Sequence, residues 1–341
     1  MDGVGAKRVL VLVCGALVLG LPSSASPEHA APVKPRILVF TKTAGFRHES
    51  IPAAVKEVRE LGVVGGFAVD VTEDSAAFSD ANLTRYDAVV FLLTTGDVLN
   101  ENQEHAFERS IRRGRGFAGV HSAADTEYGW AWYGGLVGAY FQSHPQVQSA
   151  RVGVVDRRHA STARLPRQWV RTDEWYNFAR NPRADVHVLA TVDEASYAPG
   201  PGAMGPDHPV AWAHRYQGGR AWYTAGGHRE EAYSEPLFRR HLLGGIRWAA
   251  GLTPPKIVSV TSAVRSRRLI VGLSYKSCRP CVANLVVRLS RRAVRMRVPL
   301  DAVRGRATTP RLPAGRQHFT VTLRDPLTGA SVAATRRILV R

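Results

Sequence analysis

Residues 116–125 read GFAGVHSAAD. Gly116 to Val120 are all small or apolar, as a central parallel strand buried on both faces requires. Small residues at Gly119 and Ala123 then allow a sharp turn that presents His121 and Ser122. A nucleophile elbow has this form, with small residues flanking one catalytic side chain at the carboxyl edge of a sheet. A plain tight turn has it too, so the chemistry has to be read from the rest of the chain.

Working outward, residues 36–40 (RILVF) read as a first strand. The loop TKTAGFRHES leads to a helix with Ser50 at its N-cap and Ile51, Val55, Val58 and Leu61 on one face. Residues 67–71 and 86–93 (YDAVVFLL) read as further strands. Asn100 caps a helix from Glu101 to about Arg113, stopped by Gly114. Such alternation predicts an α/β fold with a doubly wound, mostly parallel sheet. Ligands bind such sheets at the carboxyl ends of strands, near the reversal of strand order. That gathers residues 43–50, 94–97 and 121–125 round one crevice. Beyond it the pattern becomes mixed, with strands near 151–155, 186–192, 210–214 and 221–224 and a last helix opened by Ser234 and ended at Gly251.

The ends of the chain carry different information. Lys7 and Arg8 precede an apolar run over 9–21, followed by Pro22, Ser23, Ser24 and Ala25. This is the layout of a secretory signal peptide over 1–25, with a loose linker over 26–33 and an extracytoplasmic mature protein. After its removal only Cys278 and Cys281 remain, and export makes a disulfide between them the expectation. Thr253, Pro254 and Pro255 mark a joint. From Lys256 onward there are 19 Lys and Arg against Asp301 and Asp325, a net of +17 in a chain of +18. Short alternating runs over 256–341 predict a small all-β sandwich of immunoglobulin or fibronectin type, following an α/β domain over 34–252. Its charge suits an anionic cell-wall polymer or simply a solvated face; specific nucleic-acid binding is not expected of an exported protein.

The motifs TKTAGFRHES, GVHSAADTEYGWAWYGGLVGAYFQSHP, DEWYNF, DHPVAW and GRAWYTAGGHREEAY follow one another as in the ThuA-like (trehalose utilisation) domain, which the chain resembles from about Lys34 to Gly251. The resemblance implies a fold similar to class I glutamine amidotransferases, flavodoxin-like in outline, and a role in using trehalose or a related disaccharide, oxidised forms included. His228 with Glu230 resembles the His-x-Glu half of an amidotransferase triad. The nucleophile position is His121, however, and residues 34–255 contain no cysteine, which excludes a thioester-forming glutaminase.

What remains is a set of imidazoles and carboxylates. His121, His228, Glu230, Asp125 and Glu174 are the candidate catalytic groups; His48, Trp130, His144, Trp175 and His208 are the candidate substrate-binding groups. Two chemistries suit them. A divalent metal such as zinc, held by His121, Asp125 and His228, would be one. Acid/base transfer by His121 and His228 beside the carbonyl of a keto-sugar would be the other. No nucleotide cofactor is implied, since AGGHRE and TTGD lack phosphate-loop spacing. A non-catalytic sugar-binding protein, stacking saccharides on aromatics drawn from Trp130, Trp132, Tyr133, Trp175 and Tyr176, with Trp130 and Trp175 foremost, is the competing reading.

Overall fold

The structure, a computed structural model, describes residues 34–252, 256–276, 282–289, 293–300, 304–324 and 331–341. The signal peptide expected over 1–25, the linker expected over 26–33 and the pair Cys278 and Cys281 lie outside the described residues.

In chain order the first part runs β1 (Arg36–Phe40), α1 (Ile51–Gly65), β2 (Ala68–Thr72), α2 (Asp80–Leu83), β3 (Ala88–Leu92), α3 (Glu101–Arg112), β4 (Gly116–Val120), α4 (Ala131–Val137), β5 (Phe141–Ser143), β6 (Gln148–Val154), β7 (Gln168–Asp173), β8 (Asn177–Phe178), β9 (His187–Asp193), β10 (Pro209–Tyr216), β11 (Gly219–Thr224) and α5 (Pro236–Ala249). Nine strands form one sheet in the order β2-β1-β3-β4-β11-β10-β9-β6-β7, and β5 pairs β8. From β2 to β11 every neighbour is parallel. From β11 to β7 every neighbour is antiparallel, so the sheet is mixed in equal halves. The order reverses at β1, between β2 and β3, which sets the crevice above their carboxyl ends.

Helices cover both faces of the parallel half. Paired residues share a face, and β11 pairs β4 with Ala221 opposite Phe117 and Trp222 opposite Ala118. Phe117 meets Phe107 of α3, whereas Trp222 lies against Gly245 of α5, so α3 and α5 are on opposite faces. β1 after Arg36, β3 and β4 are continuous runs of buried apolar or small residues, as strands covered on both faces require.

Three helix starts are instructive. Asn100 and Gln103 make a reciprocal capping box on α3. Ser50, expected to cap α1, does not: its backbone is already helical and its buried hydroxyl has no hydrogen-bond partner. Nor does Ser234 open α5, since its hydroxyl turns back to Glu231 O at the end of a 3-10 turn over Glu230–Ser234 and the helix begins on Pro236.

The second part carries β12 (Lys256–Arg265), β13 (Arg268–Lys276), β14 (Val282–Arg288), β15 (Ala293–Val298), β16 (Arg304–Thr308), β17 (Gly315–Arg324) and β18 (Ser331–Val340). They form two antiparallel sheets, β12-β13-β16 and β15-β14-β17-β18. Leu269, Val271 and Leu273 of one sheet share a core with Leu285, Phe319 and Val321 of the other, which is a sandwich. This core has no member in common with that of the α/β part.

Candidate functional site

His121 immediately follows β4, in a 3-10 turn over His121–Asp125 rather than an α-helix. Its φ of 52° is left-handed, a strained conformation for any residue but glycine. Gly119 permits it: a Cβ there would stand 3.0 Å from Tyr223 and 3.2 Å from Ala123. The Tyr223 hydroxyl donates to His121 O at 2.8 Å and fixes the strained peptide. The elbow is therefore real, and the side chain it presents is an imidazole.

His121 is fully buried, and its Nδ1 lies 2.7 Å from Ala225 O. A carbonyl only accepts, so Nδ1 carries a proton and Nε2 is the nitrogen left to face the crevice. That nitrogen lies 3.4 Å from Glu174 Oε2 and 3.3 Å from His228 Nδ1. His228 Nδ1 also lies 3.2 Å from Glu174 Oε2, and His144 Nδ1 lies 3.1 Å from Glu174 Oε1. The His48 ring packs 4.9 Å from that of His121 and 5.1 Å from that of His228, with Ser122 Oγ 3.5 Å from His48 Nδ1. One ligand atom each from His48, His121, Glu174 and His228 falls within 4.8 Å of all the others.

The electrostatics follow from this packing. Burial, and then the neighbouring His121 and His228, push the His48 imidazole down to about 3. Burial works to raise Glu174, but hydrogen bonds with His121 and His228 hold it well below the usual carboxylate range. Burial likewise works to lower His228, and its bond to Glu174 outweighs that and raises it.

A buried network positions the loop that carries His228. Asp173 accepts from Gly227 N at 2.8 Å and His228 N at 3.1 Å, and it pairs with the buried Arg171. Arg171 Nε in turn donates to Glu235 at 3.0 Å. The Tyr176 ring lies 4.1 Å from that of His121, behind it. Asp173 and Arg171 were missed by reading the sequence, and Tyr176 was expected to stack on a sugar, not on His121. The signal was RTDEWY, a charged alternation in which Arg171 and Asp173 share the buried face of β7.

The expected residues divide accordingly. His48, His121, His144, Glu174 and His228 meet in the crevice. Asp125 is close but outside the ligand set: its Oδ1 accepts from the Tyr128 hydroxyl at 2.7 Å, and burial raises its carboxyl. Glu230 is exposed on the 230–234 turn, and the carboxylate on His228 is that of Glu174, from a distant strand end. His208 is fully buried, with Nδ1 on Glu194 at 2.9 Å and Nε2 on Tyr176 O at 2.8 Å; it braces Tyr176 instead of meeting substrate. Trp130 and Trp175 are interior, donating to Glu108 and Gln148 O respectively, so neither offers a face to a sugar. The exposed aromatics beside the site are Phe46, whose ring is 4.9 Å from His48, and Tyr128.

The donor set suits a divalent metal. Three imidazole nitrogens and one carboxylate oxygen are the ligand types of zinc and similar ions. The bond from His121 Nδ1–H to a backbone carbonyl is the outer-shell contact that aims Nε2 of a liganding imidazole.

A family model described as trehalose utilisation, ThuA, matches residues 36–249. The chain belongs to the ThuA family. The family's description supports a role in carbohydrate utilisation. Among solved structures, a ThuA-like protein from Bacteroides uniformis aligns with a TM-score of 0.54 at 23% identity, over 66% of this chain and 95% of that one. One from Parabacteroides merdae aligns at 0.53 and 20%, over 64% of this chain and 90% of that one. At these identities the likeness is one of fold. No curated protein matches the chain.

Proposed function

We propose that this ThuA-family protein is a metal-assisted enzyme acting on a disaccharide of the trehalose type or its keto derivative, with His48, His121, His228 and Glu174 as the metal-holding set. The observation that carries the reading is that one ligand atom each from His48, His121, Glu174 and His228 lies within 4.8 Å of all the others, with His121 Nδ1 held by Ala225 O so that Nε2 is turned to the group. Three imidazoles and one carboxylate gathered this closely are a set that a divalent cation would stabilise. A bound ion of this kind supplies Lewis-acid polarisation of a carbonyl or a water of lowered pKa.

The chain's own residues supply the rest. His144 is the most open of the imidazoles on Glu174, with 43% of its side chain exposed, and it is placed to exchange protons between substrate and solvent. Phe46 and Tyr128 offer ring faces to a saccharide at the mouth. Acid/base work by His121 is less suitable, since Nδ1 is committed to Ala225 O and the ring is fully buried. Binding without catalysis loses its platform with Trp130 and Trp175 inside the core. The basic, apolar and small-residue order of residues 7–25 supports action after export.

Elemental analysis of protein purified without chelators tests the metal. Near-stoichiometric zinc or another divalent metal is expected in the wild type and its loss in both His121→Ala and His228→Ala. A metal-free wild type that still converts saccharides would sink the metal reading.

A further inference from the structure

The outer face of the four-stranded sheet in the second part is an array of arginines. Directly paired residues of antiparallel strands share a face. Leu285 pairs Val321 and Val287 pairs Phe319, all buried, so these rows face the core. The alternate rows face outward. Arg288 of β14 pairs His318 of β17, which pairs Arg337 of β18. Arg295 pairs Val286 and Arg297 pairs Asn284. Arg316 and Arg324 lie on the outward rows at the two ends of β17. All six arginines are exposed.

We infer that this face is a binding surface for an anionic polysaccharide, a chain bearing carboxylates at regular intervals. Charge complementarity is the first argument. Asp301 and Asp325 are the only acidic side chains after Lys256, so the 19 basic residues there cannot be neutralised internally. Arg288 and Arg337 flank His318 on one outward row, so two guanidiniums converge on the same strip of the face. The spacing is the second. Arg295 and Arg297 stand about 6.8 Å apart along one strand, and strands repeat about every 4.8 Å, which gives a regular grid of guanidinium forks for oxyanions. The residues between them are the third. Asn284, Thr320, Thr322 and Thr335 lie on the same rows and offer the amide and hydroxyl groups that sugar hydroxyls pair with. Phe, Tyr and Trp are missing from these rows among the described residues, so the face lacks the stacking platform of a single-strand nucleic-acid binder.

Binding of the full chain to polygalacturonate, followed by calorimetry at rising salt, tests the inference. Affinity should fall steeply with salt. The variant Arg288→Gln/Arg295→Gln/Arg297→Gln/Arg337→Gln should bind about tenfold more weakly or worse. The control Arg265→Gln/Arg268→Gln/Arg306→Gln removes similar charge from the other sheet and should bind within about twofold of the wild type. Equal loss in both variants would mean diffuse attraction and overturn the surface. So would no binding by the wild type, or tighter binding of single-stranded or duplex DNA at the same salt. Thermal melting of each variant separates unfolding from lost contact, and since only binding is read, the result is independent of the metal centre.

Discussion

Asp173 shows how one residue holds the centre without touching substrate. It is fully buried, pairs with Arg171 and receives the backbone N–H groups of Gly227 and His228. Asp173→Ala leaves a guanidinium with 4% exposure short of one carboxylate, and breaking such a pair costs about 3 kcal/mol. Urea unfolding should show that loss, and metal content should fall with it because His228 is no longer aimed. A variant as stable as the wild type would mean Glu235 suffices for Arg171. At this scale the sequence was half legible. His121 could be found because its flanking small residues announce an elbow. Glu174 was preferable to Glu230 only in three dimensions, since the nearest carboxylate in sequence to His228 points to solvent and the working one comes from the end of β7.

At the scale of the element, α3 is the clearest case of sequence dictating structure. Asn100 accepts from Gln103 N at 3.1 Å, and the Gln103 side chain accepts from Asn100 N at 2.9 Å. Asn100→Ala removes the cap and should cost about 1 kcal/mol in the same unfolding assay, with the metal centre untouched. The parallel strands were legible because β3, β4 and all of β1 but Arg36 are apolar or small. β7 was not: QWVRTD alternates buried and exposed residues, and its buried face carries an arginine and an aspartate. β15 and β16, AVRMRV and RGRAT, were likewise hidden, because alternating arginines read as charge before they read as the outer face of a strand.

At the scale of the whole molecule, buried histidines make the α/β part sensitive to acid. Burial pushes His241 down to about 3 and His159 down to about 4. Both values lie below the 6.5 of an unfolded chain, so between about pH 6.5 and 4 the unfolded state binds more protons. The stability is fully present above pH 6.5 and is lost as pH falls toward the folded values, by up to about 1.4 kcal/mol per pH unit for each group. Measured over pH 7 to 4.5, unfolding free energy should fall less steeply in His159→Asn than in the wild type; equal slopes would show that His159 titrates normally in the fold.

The pairing of β4 with β11 joins residues about a hundred positions apart, and it is the hinge between the two halves of the sheet. Loops of that length close slowly, and contacts between distant residues form late in folding. His48 and His121 flank the early parallel strands, whereas Glu174 and His228 arrive with strands made much later. A nascent chain therefore displays only half of the proposed metal-holding set until its final strand docks, so metal capture there would report completion of the domain instead of guiding it.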